Sequence, residues 1–142
     1  MVEVKDPWKK LFANVKSAVA VRPLRRTVRK DGTANIPYDP LEIDIDHIYL
    51  EQTFWKQDGK CYWFGNPIDP QNIFIARHPL APSVDRLDDS KGYVKGNVVI
   101  TTRFTNFGRN SYKGDFSQIV EEFKTGLQEG DNDERIRLQF GL

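Results

Sequence analysis

The sequence predicts a small single α+β domain, with a central β-hairpin leading straight into a helix and further helices flanking it on the N- and C-terminal sides. Three observations carry this. The 142 residues leave room for one hydrophobic core. Apolar residues recur at helical spacing near both ends, at Trp8, Leu11, Phe12, Val15, Ala18 and Val19, then at Phe116, Ile119, Val120, Phe123 and Leu127. Between them, short apolar runs at 82–86 and 98–100 bracket a polar loop with two glycines, the pattern of a hairpin.

The elements follow in order. Asp6 and Pro7 open the first helix, a capping carboxylate before a proline whose missing N–H is harmless at the first helical position, and the helix ends near Arg22-Pro23. The next segment sets Arg22, Arg25, Arg26, Arg29 and Lys30 among few apolar residues, which fits a surface arm or short extended piece able to contact phosphate, so that 1–30 is a helix plus a basic arm. "DGTANIPYDP" is a loop. "LEIDI" reads as a short alternating strand leading into a helix over about 46–57, stopped by Asp58-Gly59. Asp44 and Asp46 beside His47 offer metal-ligand chemistry, but carboxylates at a helix start more commonly cap it and meet its dipole. "KCYWFGNPID" reads as an aromatic strand closed by a turn; Tyr62, Trp63 and Phe64 could stack on bases, although three adjacent aromatics in a strand more often pack.

The hairpin follows, and Thr101 is expected to cap a helix running to about Asn110, which puts the core at 44–110 and its hairpin-helix at about 82–110. Asp115 and Gln118 form a capping pair for the last helix, expected to end around 126–130. The tail "RIRLQFGL" alternates apolar and polar residues, as an edge strand or a contact between two copies in a homodimer would.

Composition narrows the function. Cys61 is the single cysteine, so no intramolecular disulfide and no structural zinc site of several thiolates is expected. No apolar run approaches the ~20 residues of a membrane helix, and the N-terminal stretch has no secretory apolar segment. A cytoplasmic protein without a membrane partner is the expectation. Net charge is only +1, but residues 1–30 hold nine Lys/Arg against two acids and 71–114 seven against three, while 31–70 and 115–142 are acidic. The basic blocks could meet nucleic-acid phosphate, or each block could be a solvated face.

Within the hairpin-helix, Asp85 ends the first strand and Asn106 lies in the helix. A carboxylate oxygen and an amide oxygen brought together there would suit Mg²⁺, which keeps several waters and accepts few protein ligands. Gly59, Cys61, Gly65 and Pro67, followed by Pro82, Ser83, Asp85, Arg86, Asp88, Lys91, Gly92, Tyr93, Gly96, Asn97 and Val98, resemble the core of HNH endonucleases. That core is also called the ββα-metal or His-Me finger, and the likeness is to small phage or homing-type members, over the middle third of the chain. The resemblance implies that Asp85 and Asn106 hold Mg²⁺ or Mn²⁺. It implies that Asn97 shapes the hairpin loop of the catalytic site and that Arg109 and Asn110 face phosphate.

The sequence departs from the family at Arg86, where most members carry the histidine that takes a proton from water. Guanidinium stays protonated, so Arg86 would instead grip a phosphate oxygen and stabilise developing charge. His78, seven residues before Asp85, is the favoured substitute base over His47; a metal-bound hydroxide or a substrate phosphate are further options, and His78 could equally be a loop residue.

The expected function is a metal-dependent endonuclease that nicks or cuts double-stranded DNA, encoded by a phage or mobile element and active in the bacterial host cytoplasm. Arg22, Arg25, Arg26, Arg29, Lys30, Lys91, Lys95, Arg103, Arg109 and Asn110 are the candidate DNA contacts. The alternative is a degenerate HNH fold that binds nucleic acid or protein without turnover; a regulatory protein using its acidic blocks as a partner surface is a third reading.

Overall fold

In the computed structural model, residues 5–21, 26–27, 36–37 and 41–132 are described. Helix α1 spans Pro7–Val21, and Asp6 caps it by accepting the amides of Trp8 (2.8 Å) and Lys9 (3.3 Å). Its apolar stripe buries Trp8, Leu11 and Val15. Strand β1, Arg26–Thr27, pairs antiparallel with β2, Ile36–Pro37, so part of the basic arm is extended. Arg22, Arg25, Arg29 and Lys30 lie outside the described residues, as does the tail at 135–142.

Helix α2 spans His47–Lys56, capped by Asp46, whose Oδ1 accepts the Tyr49 amide at 2.8 Å. The strand expected at "LEIDI" shrinks to one bridge between Ile43 and Tyr93. The segment lies against the hairpin loop, not along a strand: Tyr93 N–H donates to Glu42 O (2.8 Å) and Asp44 N–H to Tyr93 O (3.2 Å). Asp44 takes the Lys95 amide at 2.7 Å, so Asp44 and Asp46 serve as tether and cap.

The aromatic segment is not a strand. Cys61 N–H bonds Asn66 O and Gly65 N–H bonds Cys61 O, closing a tight turn with Gly65 at φ 74, where a side chain would be strained. The turn splays its rings apart, Trp63 against Phe116 and Phe64 against both Phe116 and Phe123. A 3-10 turn, Pro70–Phe74, follows under an Asp69 cap.

Strands β3 (Pro82–Arg86) and β4 (Val98–Thr102) form the hairpin, in antiparallel register from Pro82 opposite Thr102 to Arg86 opposite Val98. Helix α3, Arg103–Ser111, starts one residue later than expected. Thr101 stays in the ladder and bonds Cys61 Sγ at 3.1 Å, while Thr102 Oγ1 accepts the Thr105 amide at 3.2 Å and caps the helix. Helix α4, Phe116–Asn132, outruns the expected end at 126–130 because its glycines do not break it. Asp115 caps it through the Ser117 amide, but Gln118 turns toward Glu122 and not back to the cap.

Trp8, Leu11, Val15, Leu50, Phe54, Ile68, Val84, Val98 and Ile100 share one core, where α1, α2 and the 3-10 turn meet the hairpin. Helix α3 covers the side of β3 that presents Ser83 and Asp85. The described residues thus make a small α+β domain with four α-helices and two-stranded antiparallel sheets. No helix among them is long and apolar enough to cross a membrane.

Candidate functional site at the hairpin–helix junction

Asp85 is the fourth residue of β3 and only 2 % exposed. A carboxylate so placed needs partners, because burial penalises its charge. It has two: Arg109 Nη1 donates to Oδ1 at 2.8 Å and Trp63 Nε1 donates to Oδ2 at 2.9 Å. Desolvation is the largest influence and pushes the Asp85 carboxyl above its ordinary range, against the lowering pull of Trp63 and Arg109.

Arg109 does more than neutralise it. Nη1 also reaches Arg86 O (3.0 Å), Nη2 reaches Leu87 O (3.1 Å), the Asp89 carboxylate lies at 3.5 Å, and the guanidinium carbon stands 5.4 Å from the Trp63 ring centroid. One side chain thereby ties α3 to the end of β3.

Asn106, one turn earlier on α3, donates from Nδ2 to Ser83 Oγ (2.8 Å) and Val84 O (3.2 Å), and its Oδ1 accepts from Asn110 Nδ2 at 3.2 Å. The two expected metal ligands therefore meet β3 at neighbouring positions, with no hydrogen bond between them. Both offer hard oxygens, and no group of three or more His, Cys, Asp or Glu stands together among the described residues. Hard oxygens of this kind suit an ion that keeps most of its water, as Mg²⁺ does, but here Asp85 accepts from Arg109 and Trp63 and Asn106 Oδ1 accepts from Asn110, so both side chains would exchange partners to hold one.

Behind the site, Asn97 is buried and makes three hydrogen bonds: Oδ1 accepts the Asp88 amide (2.8 Å), and Nδ2 donates to Asp88 O (3.1 Å) and Gly92 O (2.9 Å). Arg86 turns into the same loop. Its Nη1 donates to Asp89 O and Lys91 O, both at 2.8 Å, and the guanidinium lies over the Tyr93 ring at 5.5 Å. Ser90 hydrogen bonds lower the exposed Asp88 carboxyl. Lys91 and Lys95 are exposed on the loop, as are Arg103 and Asn110 on α3.

His78 sits in the turn before β3, its Nδ1 accepting the Leu80 amide at 3.0 Å, and no hydrogen bond joins it to Asp85. His47 stands apart at the start of α2.

Trp63 is a site residue that its place in an aromatic run conceals. The one signal is chemical: an indole N–H drawn into a fold looks for an acceptor. Lys113 is the other, lining an open groove with Asn110 and with Trp63 and Arg109, the two partners of the carboxylate. Neither protein-family models, nor curated proteins, nor solved structures contain a match to this chain.

Proposed function

We propose that the chain is a divalent-cation-dependent endonuclease of the HNH type, which hydrolyses DNA phosphodiester bonds by nicking or cutting. The observation that carries this is Asp85, a buried carboxylate at the junction of hairpin and helix, with Asn106 on the facing helix. The hydrophobic core does not require an acid there, and replacing a buried ion pair by apolar residues is often neutral or stabilising. A charge kept in such a place is a functional-site candidate.

In this reading Asp85 and Asn106 hold the ion, which would supply Lewis-acid stabilisation of the phosphoryl oxygens. Trp63 fixes the carboxylate's orientation. Arg109 neutralises Asp85 and, on release, is within the same site to bind phosphate. Asn97 and Arg86 hold the loop that carries the end of β3. Arg86 is spent on loop carbonyls, so the proton acceptor is left to His78 through Nε2, to a metal-bound hydroxide or to a substrate phosphate.

Arg109 on Oδ1 and Arg86 on loop carbonyls favour a second reading, a binding module of this fold without turnover. One experiment separates them: incubation of supercoiled plasmid with Mg²⁺, Mn²⁺ or EDTA and the parent, Asp85→Ala or Asn106→Ala. The endonuclease shows cation-dependent nicking that falls at least about 100-fold in Asp85→Ala, while DNA binding persists. Salt-sensitive binding with no cleavage under any cation would establish the module instead.

A further inference from the structure

We propose that the groove between α1, the turn at 75–78 and the start of α3 is the track along which a DNA strand reaches Asp85, with Arg77 and Arg103 as its phosphate contacts. This rests on the DNA-directed function proposed above and extends it to residues outside the Asp85 cluster. The groove is open, with a volume of about 430 Å³, and among the described residues lining it none is Asp or Glu. In a chain with 21 basic and 20 acidic residues, an acid-free groove holding two arginines is a local concentration of positive charge.

Arg77 and Arg103 are both exposed, and neither forms an ion pair among the described residues. Between them the groove presents Ser83, whose oxygen accepts from Asn106 and whose own proton is left to donate, and the amide of Asn14.

The backbone at Arg77 is the second observation. Its φ of 59° lies in the left-handed region, within a turn closed by His78 N–H on Ile75 O at 3.2 Å. Glycine satisfies such a turn without strain, so an arginine there carries a conformational penalty that the turn itself does not require. A role for the side chain accounts for it.

Direction follows from the strand. Ser83 in the groove and Asp85 are i and i+2 on β3, about 7 Å apart along one face, and both bond to α3. Asn106 and Arg109 repeat the step one helical turn apart. A backbone held by Arg77 and Arg103 is thus led to the carboxylate.

The test measures affinity for a labelled short DNA duplex over a range of salt concentrations, for the parent, Arg77→Gly, Arg103→Ala, the double variant and Lys124→Ala as a surface control. Each arginine variant is expected to bind about tenfold more weakly. Each should also lower the salt slope by about one, and the double variant by about two. Arg77→Gly should melt no lower than the parent, because glycine relieves the left-handed backbone; loss of binding with stability kept is a result a merely structural role would not give. Unchanged affinity and slope in both arginine variants, with salt-sensitive binding by the parent, would overturn the groove and leave the DNA function standing. A parent that binds no DNA would overturn both.

Discussion

Ionisation of Asp85 works against folding, and the sign can be followed through pH. Its folded carboxyl lies above the ordinary value of 3.8 because desolvation outweighs Trp63 and Arg109. Below about pH 3.8 the group is protonated in folded and unfolded chains alike, and its contribution to stability is fully present. As pH rises through the elevated folded value, that contribution is lost. Urea titrations of Asp85→Asn should therefore lack this decline, although the variant should be less stable than the parent, because its one amide oxygen cannot accept from both Arg109 and Trp63. The same decline in Asp85→Asn as in the parent would show that another group carries it. Trp63→Phe removes one lowering influence and should move the decline to higher pH. The sequence placed Asp85 at the end of a strand and Asn106 in the following helix, as found, and Asn97 makes three hydrogen bonds across the hairpin loop. The partners Trp63 and Arg109 lie 22 and 24 residues from Asp85 in sequence. Their pairing depends on how the aromatic turn and α3 dock on β3, which no local pattern encodes.

The hairpin loop is an element held by few atoms. Asn97→Ala leaves the Asp88 amide and the Asp88 and Gly92 carbonyls without their partner, and should destabilise by about 1–3 kcal/mol in chemical denaturation. Gly92 marks where the loop meets the 42–44 segment: a Cβ there would overlap Glu42 O and lie 2.7 Å from Glu42 N. Gly92→Ala should cost about 1–3 kcal/mol by forcing the two segments apart, with faster amide exchange at Tyr93 as its local signature. Helices α1, α2 and α3 and strands β3 and β4 were readable to within a residue or two, because alternation, capping chemistry and helical spacing are local, whereas the strand expected at 41–45 is a single bridge. The aromatic run at 62–64 was not. Its high β-propensity is overridden by the turn at Gly65 and by the packing of Trp63 and Phe64 on α4. The 3-10 turn at 70–74 has a cap but no buried residue, so no periodic apolar stripe announced it.

At the scale of the whole molecule, α1 closes the core: Leu11 and Val15 pack with α2, the 3-10 turn and β3, far from them in sequence. Leu11→Ala should cost about 2–5 kcal/mol and lower the unfolding midpoint for the entire domain, not for α1 alone. The α+β class was legible from composition and periodicity. The way the basic residues divide between the hairpin loop, α3 and the groove was not, since charge blocks along a chain do not say which faces they share. The three tryptophans mark three environments, Trp8 at 5 % exposure in the core, Trp55 at 62 % on α2, and Trp63 on the Asp85 carboxylate. With Trp8 and Trp55 replaced by phenylalanine, the remaining indole becomes an optical reporter wired to the carboxylate by its own N–H. Its emission would tell whether a cation reaches Asp85 at all, independently of whether any bond is broken.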